Sequence, residues 1–454
     1  MEVCATKMSE LRDRKDALVD SGGRASVRPE SFIIGRNSYQ ASGWICSVGG
    51  WCRSAARAVL LPLTARGYEW FELPSTGRIR AMEGLRGLAV LLVFLVHYDA
   101  LFSFLAPRGS ATYRISQVAG AMGNAGVDLF FVISGYLIYK ILLTRNTALS
   151  SFWARRVERI YPTFLLAIIL YVAGDVALPE AGKFDWRASG TIRYVVENLL
   201  LLPGICPIKP IVSVAWSLSY EFLFYLVLPL AMVSLALRKW KRSSRICFFV
   251  GLIMLHTLLS ALGVMGHIRF SMFFVGIALY ECDESGVFAD RLGSLGETFT
   301  LIAFCCALPV TAWLTLNAPK VTGADPFASG MSLFRFGALA TTIMAVLSYA
   351  FYFDGLLRRF FCLTPLRWLG NMSYSYYLIH GGALHALRLL LRQPHAANAA
   401  SALWFWLLLP VSLVVTVVIS VPVFLLVEKR FSLRAPVAQN IRADRTAILA
   451  NMRK

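Results

Sequence analysis

The sequence predicts an all-α integral membrane protein, a bundle of about ten transmembrane helices. Of its 454 residues, 57% are hydrophobic and 16% are charged, and the mean hydropathy is +0.61. Apolar runs of bilayer-spanning length recur along most of the chain. These runs are about twice as long as a barrel strand and lack the alternation of such a strand. A water-soluble globular protein is therefore excluded, and helices are expected as the spanning elements.

Residues 1–77 differ in composition from the rest of the chain. They are rich in Ser, Gly and Arg and show no sustained hydrophobic period, which predicts an N-terminal extension, disordered or membrane-lying. Arginines interleave with apolar residues in 51–63, as in helices that lie on a membrane. The first forty residues contain no uninterrupted apolar core, so no signal peptide is expected. An over-long gene start is the alternative explanation.

Ten apolar segments form the predicted transmembrane domain, residues 78–430, which is followed by a basic cytoplasmic tail, residues 431–454. Ten spans place both termini on the same side of the membrane. The segments are 84–105, 125–143, 159–178, 215–237, 246–264, 268–281, 298–316, 331–353, 371–391 and 402–427.

The distribution of Lys and Arg predicts which side this is. With both termini in the cytoplasm, the internal connections hold 12 Lys and Arg in 56 residues, and the external ones hold 8 in 82. The density is about twofold higher inside, as the positive-inside rule requires. We therefore expect a multi-pass protein of the cell (inner) membrane with cytoplasmic termini. The net charge of +19 is explained by this topology, and no nucleic-acid partner is expected.

The nine cysteines predict neither a disulfide framework nor a metal site. Their number is odd, most lie in or beside apolar runs, and none shows paired metal-ligand spacing. Cys46 and Cys52 lie close together in the sequence, but their segment is expected in the cytoplasm, where disulfides are rare.

The first apolar span contains ionisable residues, which are costly inside a bilayer and are therefore functional candidates. Arg86 and His97 are eleven residues apart, three helical turns plus about 20°, so they lie on one face, and Glu83 falls on the same stripe. The rise per residue places His97 about 17 Å beyond Arg86, past the middle of the apolar core. One helix thus bears a cation at its cytoplasmic mouth and an imidazole deep inside.

This arrangement suits a reaction between an anionic cytoplasmic donor and an acceptor that must lose a proton away from bulk water. Histidine is a suitable base for such a step because its ordinary pKa is near neutrality. The alternative interpretation is that His97 only hydrogen bonds a neighbouring helix.

Five motifs together resemble the membrane acyltransferase 3 family. The first is Arg86, ten residues and His97, preceded by Glu83 where the family usually has Asp. The other four occur in the family's order: an aromatic run ending in Ser-Gly at 126–136, Arg-x-x-Arg at 152–162, Trp-Ser-Leu-x-x-Glu-x-x-Phe-Tyr at 216–225, and Ser-Tyr-x-x-Tyr-Leu-x-His at 369–380. The family often has Glu-Glu-Gln in the fourth motif, whereas Phe222 and Leu223 follow Glu221 here. The fused extracellular hydrolase-like domain of some members is not expected from this sequence.

The resemblance implies transfer of an acyl group, with acetyl expected, from cytoplasmic acyl-CoA to a hydroxyl of a carbohydrate, glycolipid or similar acceptor. No permanently bound cofactor or metal is implied. His97 would be the general base or would form a covalent acyl-histidine, and Glu221 would orient it. Arg86, Arg156 and Arg159 would hold the donor's phosphates by charge-assisted hydrogen bonds. The implied substrate-binding residues are Arg86, Arg156, Arg159, Glu83, Asp128, Tyr225 and His380.

Several residues of these motifs also have a purely structural interpretation. Arg155, Arg156 and Arg159 would suit an ordinary positive-inside anchor, and Glu221 would suit a pair with a polar neighbour. Asp128 would complement a helix dipole, Ser134 would allow close packing, and His380 would lie at the membrane interface.

Two other functions are compatible with the same residues. A proton-coupled transporter or flippase would use the intramembrane His, Glu and Arg as a relay, but no second Arg and His pair mirrors the first, as related halves would require. A non-catalytic partner is disfavoured because Arg86 and His97 are both present.

Overall fold

A computed structural model describes residues 70–73, 77–145, 147–177, 190–264, 266–284, 293–317, 326–391 and 399–433. The chain divides into two units, Met1–Pro62 and Leu63–Lys454, and every described residue belongs to the second. The predicted extension, apart from 70–73 and 77, lies outside the described residues, as do Cys46, Cys52 and the predicted tail beyond 433.

The described part of the chain is built from helices, and it contains no β-strand. The helices are α1 Gly77–Phe102, α2 Ala111–Gly123, α3 Ala125–Thr144, α4 Leu149–Ala177, α5 Thr191–Leu199, α6 Ala215–Ser234, α7 Arg242–Ala261, α8 Ser271–Glu284, α9 Ser294–Asn317, α10 Pro326–Tyr352, α11 Leu356–Phe361, α12 Thr364–Asn371, α13 Ser373–Leu390 and α14 Ala399–Val423, which continues as a π-helix over Phe424–Ser432.

The prediction of an all-α membrane protein is confirmed. Each of the ten predicted spans contains a helix, and eight helical stretches in the described residues are long and apolar enough to cross a membrane. The other two predicted spans correspond to α8 and α13. The 14 residues of α8 extend only about 21 Å, less than an apolar core of about 30 Å, and α13 contains His380 and Arg388. The number ten is therefore approximate.

Several connections that the sequence left unassigned are helical. Helix α2 occupies most of 106–124, and its N-cap Ser110 accepts a hydrogen bond from the backbone of Tyr113 at 3.1 Å. Helix α5 lies within the long connection 179–214, and α11 and α12 lie within 354–370. These helices are short or mixed in polarity, so hydropathy alone does not reveal them.

Helix α1 packs closely against the short helix α12. A side chain at Gly87 or Gly370 would overlap the backbone of the facing helix, so only glycine allows this approach. Beside this contact, Arg367 of α12 donates to Glu83 of α1 at 2.9 Å and also pairs with Glu72. The glycines and the ion pair together fix the start of α1.

Helix α8 is held in the bundle by α3 and α6. Gly135 of α3 lies against the backbone of Phe273, which permits close approach of the two helices. The ring of Phe273 stacks on Phe131 and on Phe224, with centroids 4.3 Å apart in both pairs. This stack aligns three of the elements near the cavity described next.

Candidate active site

A cavity of about 210 Å³, which we call the arginine cavity, lies between α1, α3, α4, α6 and α13. Its charged lining residues are Arg86 of α1, Arg156 and Arg159 of α4, and Glu221 of α6. Tyr225 also lines it. Five residues that the sequence singled out are thus brought together from three helices. The other lining residues are Val127, Phe130, Phe131, Ile133, Ser134, Leu137, Ile138, Ile141, Ile160, Ser217, Leu218, Ser373, Tyr374 and Tyr377.

Glu221 is the centre of a hydrogen-bond group in this cavity. It accepts from Ser134 at 2.6 Å and from Tyr225, and the Tyr225 backbone carbonyl accepts from Trp153 at 2.9 Å. Ser134, which was expected to serve close packing, is therefore a polar partner of the carboxylate. The role of Glu221 in orienting His97 stays a prediction.

The arginines are positioned by aromatic faces as well as by charge. The guanidinium of Arg156 lies over the rings of Phe152 and Tyr225, at 5.5 and 5.7 Å from their centroids. That of Arg159 lies 5.6 Å from the ring centroid of Tyr374. Such cation–π contacts hold a guanidinium while leaving its N–H groups available for hydrogen bonds.

Glu428 is a site residue that the sequence analysis missed. It is fully buried and lies 3.0 Å from Arg159. It also accepts from the Ser375 backbone at 2.9 Å and from the Ser375 hydroxyl at 2.6 Å. Because Glu428 immediately precedes Lys429 and Arg430, hydropathy assigns it to a cytoplasmic edge; the π-helix instead turns it inward. A carboxylate directly after a long apolar run was the available signal.

Arg86 is surrounded by charges of both signs. It interacts electrostatically with Arg159, Glu428, Glu221 and Tyr225. The arginine cavity and its rim therefore contain three guanidinium groups and two carboxylates. The excess of positive charge would favour an anionic ligand.

His97 and His380 form a contacting pair deeper in the bundle, and neither lines the arginine cavity as described. Nε2 of His380 lies 3.2 Å from Nδ1 of His97, and the rings meet edge to face with centroids 4.8 Å apart. His380 is fully buried and stacks on Tyr376, whose hydroxyl contacts Thr416 at 2.9 Å. Two histidines that are 283 residues apart thus share one location.

The hydrogen bonds determine which ring nitrogens carry protons when both rings are neutral. Nδ1 of His380 lies 2.9 Å from the Tyr376 carbonyl and Nδ1 of His97 lies 3.0 Å from the Val93 carbonyl, so each Nδ1 must donate. The single Nδ1–H of His97 is then shared between the Val93 carbonyl and Nε2 of His380, and both of these atoms accept. In this arrangement the lone pair of His97 is on Nε2, which is the nitrogen that can accept a proton.

A second cavity of about 340 Å³, which we call the glycine cavity, lies beyond the histidine pair along α13. Its α13 residues run from Ile379 to Leu389 and include Gly381 and Gly382, whereas the α13 residues of the arginine cavity run from Ser373 to Tyr377. His380 therefore lies at the start of the glycine-cavity stretch, between Ile379 and Gly381, and three residues beyond Tyr377. The remaining lining residues are Leu170, Tyr171, Gly174, Asp175, Ile211, Ser213, Ala383, His385, Ala386 and Ile419.

Tyr377 lies between the arginine cavity and the histidine pair. It lines that cavity, its hydroxyl contacts Ser217 at 2.5 Å, and its ring centroid is 6.2 Å from that of His380. A ligand that passed from the arginine cavity toward His97 would therefore meet Tyr377 first.

Two predicted substrate-binding residues lie away from both cavities. Glu83 is buried against Arg367, as described above. Asp128 lies in a separate small cavity of about 70 Å³, where its Oδ1 is 3.7 Å from Nε of Arg269. In the neighbouring segment before Ile268, burial and the arginines Arg269 and Arg335 lower the pKa of His267 to about 4, so His267 is neutral at pH 7. The substrate-binding roles of Glu83 and Asp128 stay predictions.

The chain was compared with known proteins. A family model described as an acyltransferase domain matches residues 79–425. The peptidoglycan O-acetyltransferase OatA of Listeria monocytogenes is 27% identical over 345 residues, which are 66% of this chain and 49% of that protein. The chain thus spans about half the length of that relative.

Other relatives match shorter stretches. The acyltransferase MdmB of Streptomyces mycarofaciens is 32% identical over 168 residues, 35% of this chain and 40% of that protein. The exopolysaccharide production protein ExoZ of Rhizobium meliloti is 37% identical over 110 residues, 23% of this chain and 33% of that protein. No solved structure matches the chain.

Proposed function

This chain belongs to the acyltransferase family whose domain model matches residues 79–425, and from that premise we propose that it is a membrane O-acyltransferase. It moves an acyl group, acetyl in the simplest case, from cytoplasmic acyl-CoA to a hydroxyl of a carbohydrate acceptor. The observation on which this depends is the order along α13 of a cavity with three arginines, then Tyr377, and then a histidine pair in which His380 is fully buried and His97 is half-buried. Relatives named as peptidoglycan O-acetyltransferase and exopolysaccharide production protein support a polysaccharide or its precursor as acceptor.

The arginine cavity is the donor site. Arg86, Arg156 and Arg159 bind the phosphates of coenzyme A by charge-assisted hydrogen bonds at the mouth of the cavity. A volume of about 210 Å³ is below the usual range for drug-sized ligands. The nucleotide therefore stays at the mouth, and the narrow pantetheine arm alone enters. Glu221, Ser134 and Tyr225 line the route of this arm.

His97 is the general base. Its Nε2 takes the proton of the acceptor hydroxyl while that oxygen attacks the thioester carbonyl carbon. The new C–O bond forms as the C–S bond breaks, and the thiolate leaves and takes up the proton that His97 received. His380 holds His97 in the required tautomer and stabilises its protonated form through the Nδ1–H hydrogen bond. The thioester reaches this position by displacing the Tyr377 side chain.

The donor's location fixes the orientation of the protein. Acyl-CoA is cytoplasmic, so the end of the bundle that contains Arg86, Arg156 and Glu428 faces the cytoplasm. The excess of Lys and Arg in the connections at this end supports the same assignment. Both termini then lie in the cytoplasm, and the protein resides in the cell (inner) membrane.

Replacing His97 by Ala tests the proposal. Purified protein in nanodiscs is incubated with radiolabelled acetyl-CoA and an acceptor, and transfer should fall by about 10²–10⁴-fold because the base is lost. Acetyl-CoA binding should be unchanged, since His97 is remote from the three arginines. Full transfer by the variant would overturn the base assignment.

A cellular experiment identifies the acceptor. Envelope glycans and glycolipids from cells with and without the gene are compared by mass spectrometry, and a species lighter by one acetyl group should appear in the deletion strain. An unchanged acyl pattern together with altered export of a glycan would instead support a transporter.

A further inference from the structure

We propose that the glycine cavity is a lateral acceptor groove that binds an amphiphile, a sugar attached to a hydrocarbon chain, with the chain toward the bilayer and a sugar hydroxyl toward His97. This inference rests on the proposed function and adds to it the chemical class and the entry route of the acceptor. It depends on three features of the cavity: closeness to His97, a polar end and an apolar rim.

The first feature is the closeness of the cavity to His97 at Gly381, which lines the cavity. A carbon added at Gly381 would lie 3.3 Å from the Tyr171 hydroxyl oxygen and 4.0 Å from Cδ2 of His97. Cδ2 is bonded to Nε2, the ring nitrogen that bears the lone pair. Because residue 381 has no side chain, the wall of the cavity lies close both to the Tyr171 phenol and to the imidazole edge that accepts the proton. A hydroxyl placed there would be within reach of the base.

The second feature is a group of polar side chains elsewhere in the same cavity. Asp175 of α4, Ser213 of the segment before α6 and His385 of α13 all line it. His385 is four residues, or about 6 Å along the helix, beyond Gly381. A carboxylate, a hydroxyl and an imidazole that line the same cavity suit the other hydroxyls of a sugar ring.

The third feature is an apolar rim that is exposed at the outside of the bundle. Leu170, Leu389 and Ile419 line the cavity and are 46%, 41% and 44% exposed. They belong to α4, α13 and α14, and α4 and α14 are candidate membrane spans. Exposed leucine and isoleucine on such helices face hydrocarbon, so the groove opens sideways into the lipid.

Size and composition favour an amphiphile over a free sugar. A volume of about 340 Å³ is within the range of small-molecule sites. Most of the lining is aliphatic or glycine, which a free sugar would contact unfavourably because its hydroxyls would lose hydrogen bonds to water. A hydrocarbon chain, in contrast, would be stabilised by contact with the aliphatic lining, while the sugar attached to it is held by the polar side chains of the cavity.

The experiment uses the full chain in nanodiscs and two probes that carry the same hydroxyls, dodecyl β-glucoside and methyl β-glucoside. The variant Ala386→Trp fills the groove at a small exposed lining residue. The control, Leu390→Trp, adds the same bulk on the same helix at an 80% exposed residue that does not line the groove.

The first readout is binding and does not need catalysis. A dodecyl glucoside with a photoreactive diazirine in its chain is crosslinked, and the adducts are mapped by mass spectrometry. We expect adducts on the lining segments of α4, α13 and α14, lost at least fivefold in Ala386→Trp and retained in Leu390→Trp. Adducts that map to other segments, or that are as abundant in Ala386→Trp as in the wild type, would overturn the assignment of the glycine cavity as the acceptor groove.

The second readout is acetyl transfer from radiolabelled acetyl-CoA. Transfer to dodecyl glucoside should exceed transfer to methyl glucoside at least tenfold, and Ala386→Trp should reduce the former at least tenfold without changing acetyl-CoA binding. Equal transfer to both probes, or undiminished transfer by Ala386→Trp, overturns the lateral route and leaves the proposed function intact. Specific crosslinking with no transfer to any glycan supports the groove and counts against the proposed function.

Discussion

At the scale of single residues, the site depends on how neighbours orient His97. The sequence singled out Glu221 for that task, which stays a prediction, and the structure adds a contact of His97 with His380 at 3.2 Å. Glu221 accepts hydrogen bonds from Ser134 and Tyr225 in the arginine cavity. In the proposed reaction, two side chains of one helix face would serve different substrates: Arg86 the donor and His97 the acceptor.

Replacing His380 tests its role as a positioning residue. In His380→Ala, Nδ1–H of His97 loses its acceptor on the neighbouring ring, so the base is less well oriented and kcat should fall at least tenfold. The KM for acetyl-CoA should hardly change, since the arginine cavity is untouched. His380→Gln can still offer an acceptor oxygen and should recover part of kcat.

The combination of these kinetic results distinguishes positioning from folding. A structural role alone would reduce the amount of folded protein and leave kcat per folded molecule similar in both variants. Equal kcat for the wild type and His380→Ala would contradict the positioning role.

At the scale of elements, the π-helix after α14 has a defined task. It brings Glu428 to the N-terminus of α13 and to Arg159 of α4, and so joins three elements beside the arginine cavity. A regular α-helix would direct residue 428 differently, because each residue of a π-helix turns through a smaller angle. π-Helical turns are often found at functional sites for this reason.

Replacing Glu428 should destabilise the protein. Glu428→Ala leaves Arg159 without its carboxylate and removes the acceptor of two hydrogen bonds from Ser375, so the free energy of unfolding should fall by about 3–5 kcal/mol. Glu428→Gln keeps an acceptor for Ser375 and should cost less. Unfolding by a denaturing detergent, followed by tryptophan fluorescence, measures both.

A matched control is Glu197→Ala, which removes an exposed i,i+4 ion pair with Arg193 in α5. Surface pairs of this kind contribute about 0–1 kcal/mol. A loss in Glu428→Ala no larger than that in Glu197→Ala would contradict the structural account of Glu428.

At the scale of the whole molecule, the bundle has two differently built halves along α13. The half near Ser373 has guanidinium and carboxylate groups beside a narrow cavity, and the half near Leu389 has small residues beside a cavity with an apolar rim. The histidine pair lies between them. The proposed reaction therefore needs a fixed orientation in the membrane, in which the half of the bundle near Ser373 faces the cytoplasm.

Single cysteines test this orientation in cells, in a background from which the native cysteines have been removed. Ser110→Cys, at the N-cap of α2, should react with a membrane-impermeant maleimide added outside, after the outer envelope has been made permeable. Lys241→Cys, before α7, should react only after the cell membrane is permeabilised. The reverse pattern would place the arginine cavity outside and exclude a cytoplasmic donor.

The sequence by itself determined the class of the protein and the approximate positions of its helices. Burial of long apolar runs in lipid requires the backbone to satisfy its own hydrogen bonds within each span, so hydropathy is sufficient for this conclusion. The spacing of Arg86 and His97 on one helix face is likewise local, and the gathering of Arg156, Arg159, Glu221 and Tyr225 in one cavity agrees with the motifs that drew attention to them.

Only the tertiary structure decided which side chains meet. The contact of His97 with His380 joins residues that are 283 positions apart. The ion pair of Arg159 with Glu428 depends on a π-helical turn, which the spacing of hydrophobic residues in the sequence does not predict. The close approach of Tyr171 of α4 to Gly381 and Gly382 of α13 is a further contact between residues that are distant in the sequence. Packing between helices fixes such contacts, and packing depends on the whole set of neighbours, which a pattern along one chain segment does not contain.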